Sequence, residues 1–114
     1  MRVIVAGSRG YTNKEYVYKV LDKVYQKRKD IEIVTGLAKG PDTYGKEWAI
    51  ENGVPYHEFP ANWDKYGKQA GYLRNQEMAY FSDMLIAFHL NSRGTAHMIN
   101  IANEEGLKVA IFRK

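Results

Sequence analysis

Four short stretches of this chain concentrate glycine, hydroxyl, guanidinium and carboxylate groups. The first is Gly7-Ser8-Arg9-Gly10-Tyr11-Thr12. A glycine directly after a buried strand lets the backbone turn tightly and lets a ligand approach it. Ser8 brings a hydroxyl, and Arg9 brings a planar fork of donors that matches a phosphate or carboxylate. The second stretch is Thr35-Gly36-Leu37-Ala38-Lys39-Gly40-Pro41-Asp42. Two glycines flank a loop that enters a helix, and the free N–H groups of such a helix start form an anion site. Lys39 adds positive charge. Asp42 can cap that helix, the commoner use of an aspartate there, or accept a hydrogen bond from a ribose hydroxyl.

The third stretch runs from Trp63 to Asn75. Trp63 and Tyr66 can stack on a base or ribose. Ala70 and Gly71 keep the first helical turn small, so a ligand can approach the backbone. Arg74, one turn further on and beside Asn75, can brace a phosphate or the second loop. The plain structural alternative is a loop pinned by its aromatic rings, with Arg74 paired to an acidic residue. The fourth stretch is Asn91-Ser92-Arg93-Gly94-Thr95-Ala96-His97-Met98. Gly94 and Thr95 at a helix start offer amide donors and a hydroxyl to phosphate. His97 is expected in the first turn, where the helix dipole disfavours its protonated form. A neutral imidazole there serves a pocket or simply lies on the helix surface.

Several familiar chemistries are missing. No Gly-x-Gly-x-x-Gly follows the first strand, no acidic residue ends the second, and no Gly-Lys-Ser/Thr phosphate loop occurs. The chain has no cysteine, which removes disulfides, thiolate metal sites and cysteine nucleophiles. His57, His89 and His97 do not fall at metal-ligand spacing, so no metal and no cofactor are expected. Spacing defines no serine–histidine–aspartate triad.

The elements that must position these loops alternate strictly. Val3–Ala6, Ile31–Thr35, Val54–Phe59, Met84–Phe88 and Leu107–Phe112 read as strands. Between them, helices are expected from Lys14 to about Lys29, from Pro41 to about Asn52, from about Gln69 to Phe81, and from Gly94 to near Gly106. In the first helix, Val17, Val20, Leu21, Val24 and Tyr25 recur on one face, as a helix packed on a sheet requires. The segment from Pro60 to Lys68 is polar and aromatic with little periodicity. Five strands alternating with four helices predict an α/β fold, a Rossmann-like three-layer αβα sandwich with a five-stranded, mostly parallel sheet. In such sheets the loops after the strands share the carboxyl edge, and ligands bind there where the strand order reverses.

Length and charge narrow the setting. The 114 residues suit a single domain spanning 1–114. Hydrophobic residues at 45% and charged residues at 26% match an ordinary folded chain rather than a disordered one. The N-terminal apolar run of about five residues is too short for a signal peptide or a membrane span, so a cytoplasmic protein with no membrane partner is expected. A net charge of +4 suits anionic ligands.

These loops together resemble the YspA-type branch of the SLOG superfamily, the group that also takes in DprA/Smf and the LOG-type phosphoribohydrolases. The likeness rests on Gly7-Ser8-Arg9, on Thr35-Gly36-x-Ala38-x-Gly40-x-Asp42, on Trp63-x-x-Tyr66-Gly67-x-x-Ala70-Gly71-x-x-Arg74-Asn75, and on Gly94-Thr95-Ala96-x-Met98. It implies a Rossmann-like domain that senses or processes a nucleotide derivative, including NAD-related molecules, often in phage conflict; the cytoplasm would be the host's if a phage encodes the chain. It also implies that Gly7, Ser8 and Arg9 form one wall of the site, Gly36, Gly40 and Asp42 a second, and Arg74 and Asn75 a third. Gly94 and Thr95 would then cradle phosphate. Two departures stand out. Leu37 and Pro41 replace a glycine and an alanine usual in the second motif. Met98 stands where LOG enzymes carry a catalytic glutamate, and a thioether cannot transfer protons.

The leading expectation is therefore a sensor or binding domain for a nucleoside phosphate, ADP-ribose or an NAD-related molecule. The second is an enzyme that cleaves an N-glycosidic bond, a phosphoribohydrolase-like hydrolase without the usual glutamate, with Asp42 or Glu77 as substitute acids. The third, ranked below both, is single-stranded DNA binding through the basic excess and Trp63, Tyr66 and Tyr72. Self-association as a homo-oligomer is left open.

Overall fold

The computed structural model describes residues 1–113. Strand β1 (Arg2–Gly7) lies at the centre of one sheet, between β2 (Glu32–Thr35) and β4 (Met84–Phe88). The edges are β3 (Tyr56–Glu58) and β5 (Lys108–Phe112), giving the order β3-β2-β1-β4-β5 with every pairing parallel. The sheet is thus wholly rather than mostly parallel. Val3, Ile4 and Val5 are completely buried in succession, as a strand covered on both faces must be.

The period of two along β1 sends its side chains to two separate cores. Val3 and Val5 join Ile33, Ile86 and Phe88 beneath α1 (Lys14–Lys27) and α2 (Pro41–Asn52), which contribute Val17, Leu21, Trp48 and Ala49. Ile4 and Ala6 join Val34, Leu85 and Ala87 on the other face, beneath α4 (Ala70–Phe81) and α5 (Arg93–Glu104), which contribute Met78, Ala79, Met98 and Ala102. Each buried aliphatic side chain of this kind contributes about 1.5–3 kcal/mol, and both layers depend on it. The result is the expected three-layer α/β sandwich.

Boundaries differ from expectation where local chemistry competes. Strand β3 pairs only from Tyr56, because the Val54 amide instead bonds the Ala49 carbonyl at 2.9 Å and closes α2. Helix α1 stops at Lys27, where Arg28 turns extended and its guanidinium pairs with Asp30 at 2.8 Å. The aperiodic segment after β3 holds a fifth helix, the four-residue α3 (Trp63–Tyr66). The Asn62 carboxamide oxygen accepts the Lys65 amide at 3.1 Å to cap it. A 3-10 turn, Gly67–Gln69, then leads into α4.

The path from β1 through β2 to β3 runs one way across the sheet, and β4 to β5 runs the other. The order therefore reverses between β1 and β4, the position where parallel sheets open a crevice at their carboxyl ends. Among the described residues no helix is long and apolar enough to cross a membrane.

Candidate ligand-binding site at the carboxyl edge

A cavity of about 600 Å³ opens at that reversal, and all four loops contribute to its wall. Its volume lies within the roughly 300–1,000 Å³ usual for small-molecule sites. Ser8 and Arg9 come from the loop after β1, Ala38 and Asp42 from the second loop and α2. Trp63, Lys68, Arg74 and Asn75 come from the third region, and Ser92, Gly94 and Thr95 from the fourth. The floor is the apolar trio Ala6, Met78 and Met98.

Gly7 has no alternative where β1 ends. A Cβ there would meet the Phe88 carbonyl and lie 2.5 Å from Pro41 Cγ, so only glycine lets β1, β4 and α2 close together. The next residue ties two loops. Its amide donates to the Phe88 carbonyl (3.1 Å), and Ser8 Oγ accepts the Leu90 amide (2.9 Å) while donating to Ser92 Oγ (3.1 Å). Ser92 Oγ in turn donates to Thr95 Oγ1 (2.8 Å) and accepts the Thr95 amide (3.3 Å), capping α5. Ser92→Ala is expected to lower stability by about 1 kcal/mol, the usual worth of such a cap. An unchanged urea midpoint would show that this hydroxyl chain holds nothing.

The second loop is fixed by side chains as much as by glycine. Gly40, the residue before α2, has φ +96°, and a Cβ on it would fall 2.9 Å from the Ser8 carbonyl. Leu37 adopts φ +62° although it is not glycine, a conformation that costs about 1–2 kcal/mol. Thr35 Oγ1 compensates by accepting the Leu37 amide (3.1 Å) while donating to the Asp42 carbonyl (2.8 Å). The backbone thus turns at Leu37 without a glycine.

Asp42 is only 4% exposed. Gly40 holds the cap position of α2 and no side chain caps it, so Asp42 stands in the first turn of that helix rather than at its cap. The Asp42 carboxylate takes its own amide but also reaches sideways to the amides of Gly36 and Gly7, joining the ends of β1 and β2. Burial pushes its carboxyl up to about 6, against the opposing pull of Arg74 and these amides. Arg74 is tethered in turn: Nε donates to Asn75 Oδ1 (3.0 Å) and Nη1 to the Gly36 carbonyl (2.5 Å). Burial works against its charge, Asp42 supports it, and Arg9 opposes it. The guanidinium nonetheless keeps its proton.

Asn75 Nδ2 lies 3.3 Å from both the Gly94 carbonyl and His97 Nδ1, so α4 and α5 are joined at the rim. His97 sits in the second turn of α5, its ring 4.4 Å from Tyr72. Burial lowers its pKa, with Glu104 opposing. It supports Asn75 and Tyr72 from behind instead of lining the cavity.

The structure therefore brings Gly7, Ser8, Arg9, Asp42, Trp63, Gly71, Arg74, Asn75, Gly94 and Thr95 to one cavity. Thr35, Gly36 and Gly40 stand one layer behind and shape the second loop. Tyr66 is exposed, and Glu77 is exposed on α4; neither lines the cavity. Sequence reasoning passed over Ser92, whose Ser-x-x-Thr spacing is a readable cap signal, and Leu90, which has no chemical signal. Lys68 and Tyr72 also line the wall.

Charge is uneven between the two edges. The carboxyl-edge connections carry Arg9, Lys39, Lys65 and Lys68 against the single acid Asp64, while the opposite connections carry Arg28 and Lys29 against Asp30, Asp83 and Glu105. Inside the cavity Arg9, Lys68 and Arg74 face Asp42. An anion is drawn to this end of the molecule.

A family model described as the YspA, cpYpsA-related SLOG family matches residues 1–66, more than half of the chain. The chain belongs to this SLOG family. The Gene 61 protein of Mycobacterium phage D29 is 33% identical to it over a 121-residue alignment that covers 97% of this chain and 95% of that protein. DNA processing protein A (DprA) of Streptococcus pneumoniae shares the fold with a TM-score of 0.81 at 21% identity, over 99% of this chain and 50% of that one. The SLOG chain thus spans about half the length of that DprA. Met98 is buried in the apolar floor of the cavity.

Proposed function

We propose that these 114 residues act as one binding or sensing domain for a phosphate-bearing nucleotide derivative: a nucleoside phosphate, ADP-ribose or an NAD-related molecule. The observation that carries this reading is the meeting of Arg9, Lys68, Arg74 and the start of α5 on one cavity that Trp63 and Tyr72 also line. Phosphate suits the guanidinium forks and the Gly94 amide at the start of α5. A base suits the aromatic faces. Isothermal titration with NAD, ADP-ribose and nucleoside monophosphates tests it, together with mass spectrometry of whatever co-purifies. Saturable binding of at least one is expected; binding of none removes the reading.

Asp42 favours a second reading, cleavage of an N-glycosidic bond, because a buried carboxyl that titrates near 6 has the pKa of a working acid or base. Product analysis in the same titrations separates the two. Turnover abolished by Asp42→Asn supports the enzyme, and tight binding with the ligand intact supports the sensor. Single-stranded DNA remains the third reading, favoured by the basic edge and the exposed Trp63 and Tyr66. It requires an affinity that falls steeply with salt.

A further inference from the structure

We infer that Asp42 makes the cavity selective for nucleotides whose sugar keeps its free hydroxyls, with the ribose held at Asp42 and the phosphate at the cationic rim. This rests on the nucleotide reading above and adds an orientation and a ligand class to it.

The polar groups of the cavity are segregated by type. Arg9, Lys68 and Arg74 can only donate, and the start of α5 presents amides. Asp42 is the one anionic group in the wall, and it can only accept while ionised. A phosphate is therefore repelled from Asp42 and attracted elsewhere. What an ionised carboxylate at that place can hold is a hydroxyl or an amine. A carboxylate offers about four lone-pair positions. The amides of Gly36, Asp42 and Gly7 favour its ionised form, and as a lining group it keeps acceptor capacity for an occupant.

Arg74 cannot swing across to fill that capacity, because Gly36 and Asn75 hold its Nη1 and Nε. Arg74 from α4 is the charge that acts on Asp42, and Arg9 from the loop after β1 acts on Arg74 in turn. Lys68 and the Tyr72 phenol are the other titratable groups of the wall. A carboxylate that merely ties β1 to β2 would be indifferent to the sugar, so sugar discrimination separates a specificity role from a structural one.

Calorimetry at pH 8 with AMP and ADP and with their 2′-deoxy and 3′-deoxy forms tests this. At least one deoxy form is expected to bind about 10- to 100-fold more weakly, the worth of one hydrogen bond to a charged group. Asp42→Asn is expected to shrink that ratio to within about threefold. Should that variant fail to fold, the wild type at pH 5 gives the same information, since a protonated carboxyl has lost its charge and part of its acceptor capacity. Phosphate protonation affects all the nucleotides alike and cancels in the ratio. Equal affinity for all sugar forms at pH 8, or a ratio that survives Asp42→Asn or pH 5, overturns this inference and leaves the nucleotide reading standing. Binding of none of them removes both.

Discussion

Arg74→Ala should weaken a phosphate-bearing ligand about 10- to 150-fold, the loss of roughly 1.5–3 kcal/mol for charge-assisted hydrogen bonds. Two of the five N–H groups of Arg74 are already committed, one to Asn75 Oδ1 and one to the Gly36 carbonyl. The remaining ones are held in place by those bonds, so a phosphate meets a preorganised fork and little side-chain entropy is lost on binding. The substitution also deprives Asp42 of the cation that opposes its burial, which drives its carboxyl still further up. Arg74→Lys keeps a charge without the fork and should fall between wild type and alanine. Calorimetry on the three proteins is the measurement, and unchanged affinity in Arg74→Ala would end the assignment of Arg74 to the ligand.

The second large effect is a pH dependence of stability. Asp42 titrates near 6 in the fold against an ordinary 3.8, so between those values the folded chain binds more protons than the unfolded one. Stability from this group is therefore greatest below about pH 4 and declines as pH rises to 6, by about 3 kcal/mol in all. Other carboxylates act oppositely. Asp30 and Glu32 are held below the usual range by hydrogen bonds from Arg28 and His57, and they lose stabilisation as pH falls. They are common to wild type and Asp42→Asn and cancel in the difference between the two. Urea titrations of both proteins from pH 4 to 7 should show wild type losing ground to the variant as pH rises. A constant difference would mean that Asp42 titrates as an exposed aspartate does.

The strands and the main helices were legible because burial imposes its period directly on residue type. The runs Val3–Ala6 and Met84–Phe88 allow no other reading, and α1 shows its apolar stripe plainly. The sheet edge was less legible: Val54 is apolar because its side chain joins the core while its amide closes α2, and it mimics the start of a strand. Helix α3 escaped notice because four residues are too few to display a period of 3.6.

In the site, the glycines and Arg74 could be read from chemistry and order alone. The role of Thr35 could not, since a hydroxyl that steadies the left-handed Leu37 looks in sequence like one offered to a ligand. Tyr66 and Trp63 are equally aromatic, yet only Trp63 turns to the cavity, with its ring tip 3.3 Å from where a Cβ on Gly71 would stand. Sequence spacing gives a residue its neighbours along the helix but not the direction in which a one-turn helix points.

The cavity takes Asp42 from the α2 layer and Arg74, Asn75 and Thr95 from the α4 and α5 layer. An occupant gripped from both sides behaves as a rivet through the rim of the sandwich. Shearing either helical layer over the sheet would then first require tearing it out, so occupancy would slow amide exchange in both cores.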